Sequence, residues 1–312
     1  MKKMTLVLLC VLVVGASLLT GCGGGGDKEK ASMEVAIVLS HRNNEWANAL
    51  ADTLDADVRA AGYTPLEYVA DNDAQKQIGQ VEQAIQRKVA GIILNPYDSA
   101  ALGPVVTAAK NAGIPLICCH EGVNNEDAVS SIIPDFVDGG RAKMAEAMKD
   151  MPDGGPIAFM YGPHGSPAQA LIASGYPIAL QGQEDKYPVI FTAYGDWSDV
   201  SALDAVSSWL SSGKQIDAII SDNDGMAIGV LQAIEAAGKT GQIKVYGLDG
   251  APRAFQAIKE GAMMATINTD VPAESKNSVE QLLNAINGRP VTKNILLPMV
   301  VVNKDNVDQY LK

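Results

Sequence analysis

Short apolar runs alternate with stretches of helical periodicity from residue 35 to the end of the chain, and this alternation constrains the fold more than any other feature. Val35–Leu39 has no polar interruption and reads as a strand buried on both faces. Ala47, Leu50, Leu54, Val58 and Ala61 follow at three- and four-residue spacing, the stripe of an amphipathic helix. Asn43 or Asn44 can cap that helix and Gly62 stops it. The pattern repeats with strands at Leu66–Ala70, Gly91–Leu94, Pro115–Cys119 and Val129–Ile133. Helices between them are marked by Ile78, Val81, Ile85 and Val89, and by residues 100–111. A second series has strands at Ile157–Tyr161, Val189–Tyr194, Ala218–Ser221, Ile243–Leu248 and Met264–Ile267, each leading into a helix. A last strand is expected at Ile295–Val302. Such alternation implies an α/β fold of parallel sheets covered by helices on both faces. The run Ala90-Gly91-Ile92-Ile93-Leu94-Asn95 is echoed by Asp217-Ala218-Ile219-Ile220-Ser221-Asp222, so two similar lobes are expected.

The start of the chain has another character. Lys2 and Lys3 precede the apolar run Met4–Leu19. That run is short for a bilayer span, which takes about 20 residues, and suits a secretory signal. It ends in Leu19-Thr20-Gly21-Cys22, which resembles a bacterial lipobox. Residues 1–21 are therefore expected to be a removable lipoprotein signal, with Cys22 lipidated. Residues 22–32, containing Gly23–Gly26 and Asp27–Lys30, are expected to form a flexible polar tether. The protein is then extracytoplasmic and anchored to the bacterial cell membrane by lipid. A formal charge of -12 and a pI near 4.7 argue against a nucleic-acid partner, which needs a basic face. Loss of Lys2 and Lys3 makes the balance more acidic still.

Processing would leave Cys118 and Cys119. Neighbours in a strand point to opposite faces. Two buried small apolar side chains are expected there, with a vicinal disulfide as the alternative. His41, His120 and His164 are scattered, and no CxxC or HExxH occurs. No metal and no cofactor are expected.

In parallel sheets ligands sit beyond the carboxyl ends of strands. Here those positions are Ser40–Trp46, Asn95–Asp98, His120-Glu121, Gly162–Ser166, Asp196-Trp197, Ser221–Asp224, Asp249 and Asn268–Asp270. Ordinary helix capping accounts for Asn44, Asp98 and Ser221. It accounts less well for two Trp in a chain with only three, or for Asp222-Asn223-Asp224 at one sheet end. Trp46 also lies on the stripe that leads to Leu50, so a core role is its alternative. Trp209 sits on a helix and reads as packing.

From about Met33 to Lys312 the chain resembles a periplasmic sugar-binding protein of the ribose/galactose type. Four stretches carry the likeness. Ala36-Ile37-Val38-Leu39-Ser40 with Asn43-Asn44-Glu45-Trp46 resembles that family's first strand and sugar-contacting loop. Asn95-Pro96-Tyr97-Asp98 resembles its Asn-Pro turn, and Ser221-Asp222-Asn223-Asp224-Gly225-Met226-Ala227 its Asn-Asp-x-Met-Ala helix start. Val245-Tyr246-Gly247-Leu248-Asp249-Gly250 resembles its Gly-x-Asp strand end. The resemblance implies two Rossmann-like lobes joined by a three-strand hinge, the periplasmic binding protein type I fold. One lobe would comprise 33–134 plus 270–297, the other 135–269 plus 298–312. A monomer is expected, closing on a small polyhydroxylated ligand and docking on an ABC-type membrane permease.

The ligand-binding residues implied are Ser40, Asn44, Trp46, His120, Glu121, Ser166, Trp197, Asn223, Asp249, Thr269 and Asp270. Trp46 and Trp197 would cover C–H faces while Asn223 and Asp249 bond hydroxyls. The departures are informative. The family's second-lobe arginine falls on Ile172, removing a bidentate grip. The fourth strand ends in His120-Glu121 where Asp-Arg or Asn-Lys is usual, and the final hinge reads Asn268-Thr269-Asp270. His41, Arg42, His120 and His164 are bases in the expected cleft loops. A modified sugar, a polyol or an inositol is therefore as good an expectation as ribose or glucose. A receptor feeding a chemoreceptor or membrane kinase would share this pattern. A lipid-anchored hydrolase is the third class, but no Gly-x-Ser-x-Gly elbow or local nucleophile–base pair is present, so no enzyme is expected. A related transcription regulator would need a basic helix-turn-helix where the signal stands.

Overall fold

The computed structural model describes residues 32–311. The expected signal, the lipidation of Cys22 and all of the tether except Ser32 lie outside the described residues. The order is β1 (Glu34–Leu39), α1 (Glu45–Ala60), β2 (Thr64–Val69), α2 (Ala74–Gln86), β3 (Gly91–Leu94), α3 (Gly103–Asn111), β4 (Leu116–Cys119) and β5 (Ser130–Pro134). Then come α4 (Phe136–Asp150), β6 (Ile157–Tyr161), α5 (Pro167–Leu180), β7 (Val189–Tyr194), α6 (Asp199–Ser211), β8 (Ala218–Ser221), α7 (Asp224–Ala236) and β9 (Lys244–Asp249). The chain ends with α8 (Pro252–Glu260), β10 (Ala265–Asn268), α9 (Val271–Ile286), β11 (Asn294–Leu297) and β12 (Val300–Asn303).

These strands form two six-stranded sheets, ordered β11-β5-β4-β3-β1-β2 and β12-β10-β9-β8-β6-β7. Every pairing is parallel except that of β12, which runs antiparallel to β10. Each sheet carries a lobe. The chain passes between lobes after β5, after β10 and between β11 and β12: α4 packs on α5, β9 and β10, whereas α9 packs on α1 and on β3, β4 and β5.

The apolar runs become central strands because helices cover both faces. β3, β4 and β8 are buried along their whole length. Alternate residues feed separate cores: Ile37, Ile93 and Cys119 pack under α1 and α9, and Ala36, Val38, Ile92 and Cys118 pack with residues of α2 and α3. Cys118 and Cys119 are free and buried, on opposite faces as expected. Asn44, not Asn43, caps α1, its Oδ1 accepting the Ala47 N–H at 2.9 Å.

Two elements differ from the expectation. The sequence pattern predicts no helix between Ile133 and Ile157, yet α4 fills that interval. Its Gly139-Gly140 pair disfavours an isolated helix. Packing demands it: a Cβ on Gly140 would lie 2.1 Å from the Ile172 carbonyl oxygen of α5, so the two backbones meet there. The single strand expected at Ile295–Val302 is two, β11 and β12, one in each sheet. Pro298 lies between them, at a passage from one lobe to the other.

Candidate functional site

The wall on the first lobe begins where β1 ends. Ser40 Oγ donates to Asn95 Oδ1 at 2.6 Å, and Asn95 is fixed in turn by Gln77, whose Nε2 donates to its carbonyl at 2.8 Å. The Asn-Pro turn thus holds Ser40 in position. Trp46, in the first turn of α1, is 8% exposed and lies on the His120 ring, with centroids 3.9 Å apart. His120 has φ +68 and sets its Nδ1 2.9 Å from Glu274 Oε2 on α9. Its ring meets Phe136, the first residue of α4, edge-on at 5.0 Å. Trp46 is thus part of the lobe core and also lines the cavity between the lobes. Its indole Nε1 has no partner.

The wall on the second lobe is set by strained loops. Asp196 and Trp197 have φ +51 and +58, a left-handed pair that brings the indole over Gly162. A Cβ at Gly162 would lie 2.1 Å from the Trp197 ring, so only glycine leaves room. Asn223 caps α7, its Oδ1 accepting the Met226 N–H at 2.9 Å. Asp249 ends β9 at φ +135, a conformation rare outside glycine that the surroundings must enforce. Two anchors do so. The Asp224 carboxylate accepts the N–H groups of Gly250 (2.9 Å) and Ala251 (2.8 Å) and the hydroxyl of Thr266. Thr269 donates its N–H and its hydroxyl to the Asp249 carbonyl, each at 3.0 Å.

Between the walls lies a cavity. Ser40, His41, Asn44, Trp46, His120 and Glu121 line it from the first lobe. Phe136, Ala168, Ile172, Trp197, Asp222, Asn223, Leu248 and Asp249 complete it. Its ionisable groups are shifted. Burial, then the nearby charge of His120, pushes His41 down to about 4. Burial lifts Glu121 to about 8, opposed by the Ala168 N–H and the Ser166 hydroxyl. Burial and the Asp224 carboxylate hold Asp249 well above the usual range. Behind the wall Lys143 is fully buried, lowered by burial to about 8, with Asp222 Oδ1 3.9 Å from its ammonium. Asp222 also accepts the Tyr176 hydroxyl and the Gly162 N–H.

The structure brings eight of the expected residues to the cavity: Ser40, Asn44, Trp46, His120, Glu121, Trp197, Asn223 and Asp249. Ser166 stands behind them, capping α5 and offering its hydroxyl to Glu121 at 3.5 Å. Thr269 supports Asp249 from outside the lining, and Asp270 is exposed and caps α9. Of the four bases in the loops, His41 and His120 reach the cavity. Arg42 is engaged by Asp52 and Glu67, and His164 meets Tyr194 edge-on at 5.4 Å. Sequence reasoning missed Phe136 and Lys143 because both belong to α4. It also passed over Ala168 and Leu248, whose apolar character gives no site signal.

The family described as a periplasmic binding protein domain matches residues 35–290. A xylitol-binding protein of Mycolicibacterium smegmatis is 28% identical over 294 residues, 93% of this chain and 83% of that protein. The ribose import binding protein of Bacillus subtilis is 26% identical over 307 residues, 96% of this chain and 98% of its own. Among solved structures, an ABC transporter solute binding protein from Bacillus halodurans with bound myo-inositol superposes with a TM-score of 0.84 at 29% identity. That match covers 90% of this chain and 98% of the other.

Proposed function

Because the chain belongs to the periplasmic binding protein family, we propose that it captures a small polyhydroxylated solute, a sugar, modified sugar or polyol, for an ABC importer. As a member of a family of binding proteins it is not an enzyme. One observation carries the ligand class. The cavity sets aromatic faces from both walls, Trp46 and Trp197, against the polar groups of Asn223, Asp249 and Glu121. Rings cover the C–H faces of such a solute, while amides and carboxyls bond its hydroxyls. The unpartnered Trp46 Nε1 and Glu121 Oε2 support this, because buried polar atoms of this kind are ordinarily satisfied.

In this reading residues 33–134 with 270–297 form one rigid body and 135–269 with 298–312 the other. Ligand contacts to both favour the closed form by differential affinity, and that form docks on the permease. The protein acts as a monomer, held outside the cytoplasm by lipid on Cys22. Substituting Cys22→Ser is expected to move it from the membrane fraction to the soluble one; unchanged fractionation removes the anchor. The ligand class is tested by calorimetry of the chain against sugars, polyols and, as the contrary case, amino acids. Binding raises stability by mass action, so thermal melts give a second readout. Tight binding of an amino acid with none of a hydroxylated compound would sink the reading.

A further inference from the structure

Three carboxyl-bearing residues, Glu121, Asp222 and Asp249, line the cavity, and no Lys or Arg is among its lining residues. Asp222 is accounted for by Lys143, Tyr176 and the Gly162 N–H. Glu121 and Asp249 are not matched in this way. Glu121 is only 9% exposed; it takes the Ser166 hydroxyl at a long 3.5 Å, and its Oε2 has no partner. Asp249 accepts the Asp224 N–H, and the charge that acts on it most is another carboxylate, Asp224, ahead of the Lys143 ammonium. Ile172 contributes an alkyl group to the same wall.

The other lining groups suit an organic cation. Trp46, Phe136 and Trp197 present three aromatic side chains to the space that holds both carboxyls. An ammonium group is drawn to an aromatic face and forms charge-assisted hydrogen bonds with carboxylates. A neutral hydroxyl gains less from either. Hydroxyls remain part of the fit, because the unpartnered Trp46 Nε1–H calls for an acceptor and Asn223 brings an amide. The acidic balance of the chain, -12, also favours approach of a cation.

We propose that the cleft selects a sugar or polyol bearing a protonated amine, with Glu121 and Asp249 meeting the ammonium charge and Trp46 and Asn223 meeting hydroxyls. This rests on the solute-binding reading and narrows it. Proton balance gives a distinctive signature. Glu121 faces Ser166 and the Ala168 N–H; Asp249 faces Asp224, Lys143 and Glu274. Burial raises both carboxyls, Glu121 to about 8, so seating a cation on Glu121 releases a proton to solvent. Affinity for the amine then rises from pH 6 to pH 8, by up to about tenfold per unit for each proton released. A neutral polyol would use a protonated carboxyl as a donor and weaken over the same range.

The test compares matched pairs by calorimetry on the full chain in an amine-free buffer. The pairs are tris(hydroxymethyl)aminomethane against pentaerythritol, 2-amino-2-deoxyhexoses against their parent hexoses, and an aminated inositol against myo-inositol. The expected result is an aminated member binding about tenfold or more tightly than its neutral partner, as charge and ring contacts imply. That advantage should shrink in Glu121→Gln and in Asp249→Asn. A neutral partner binding as tightly as the amine in every pair that binds overturns the ammonium selection and leaves the solute reading standing. An advantage that survives both substitutions also overturns it. No binding by any compound, charged or neutral, removes both.

Discussion

Asn223 caps a helix and lines the cavity with one side chain, its oxygen closing the first turn of α7. Serine is an equally good cap but lacks the NH2 donor. Asn223→Ser is therefore expected to keep stability within about 0.5 kcal/mol while affinity falls ten- to a hundredfold, roughly the worth of a buried hydrogen bond left unmade. Asn223→Ala should also cost about 1 kcal/mol of stability. Full affinity in the serine variant would remove the amide from the site. Glu121 gives a pH dependence. Its carboxyl is raised from 4.5 to about 8, so between those values the native state holds a proton that the unfolded state has lost. Ligand-free stability therefore falls as pH rises through that window, by up to about 1.4 kcal/mol per unit. His41, lowered from 6.5 to about 4, works in the other direction: its contribution is present above 6.5 and lost as pH falls towards 4. Glu121→Gln should accordingly gain melting temperature over the wild type as pH goes from 5 to 8. A constant gap would refute it. Such couplings were only partly legible in the sequence. Strand-end position pointed to His120 and Glu121, but the His120–Glu274 contact joins residues 154 apart, and Lys143 looks like any polar helix residue until the fold buries it.

At the scale of elements, the contact between α4 and α5 shapes the cavity, because α4 begins at Phe136 and α5 supplies Ala168 and Ile172. Their close approach is made at Gly140 and reciprocally at Gly175, where a Cβ would lie 2.3 Å from the Val137 carbonyl. Gly140→Ala should destabilise by about 1–3 kcal/mol or more, since backbone must move, and should weaken binding with it. Gly79→Ala in α2 is the control. Nothing lies within 4 Å of its added Cβ, and its conformation is helical. It should stabilise by about 0.5–1 kcal/mol. Chemical denaturation reads both, and the same sign for the two would sink the packing argument. The strands were legible because covering both faces leaves uninterrupted apolar runs such as Gly91–Leu94. α4 was not, because its glycines are chosen by a partner helix and propensity counts against them. The last strand reads as one in the sequence because apolar residues continue on both sides of Pro298, while the chain changes sheets there.

The whole molecule is two repeats of one plan, and the echo between residues 90–95 and 217–222 anticipates it: those segments run into β3 and β8, next to β1 and β6 in their sheets. Side-chain contacts between the lobes had no such signal. Glu45 at the start of α1 meets Arg253 of α8, with Nε 2.5 Å from Oε1. Both are partly exposed, so the pair contributes about 0.2–1 kcal/mol to the contact between the lobes. Glu45→Ala should weaken ligand affinity only a few-fold, and the difference should shrink at high salt. Calorimetry at two ionic strengths measures this, and a salt-independent loss would assign Glu45 another role. The placement of the tryptophans has a practical consequence. Trp46 and Trp197 look into the cleft from opposite lobes, while Trp209 is buried and stacked on Phe191 with centroids 5.4 Å apart. Indole emission is thus divided between two fluorophores that an occupant would shield and one that it would leave unchanged. The protein carries its own label-free optical gauge of occupancy, with a built-in reference, and replacing either cleft indole by phenylalanine would tell which wall the occupant touches.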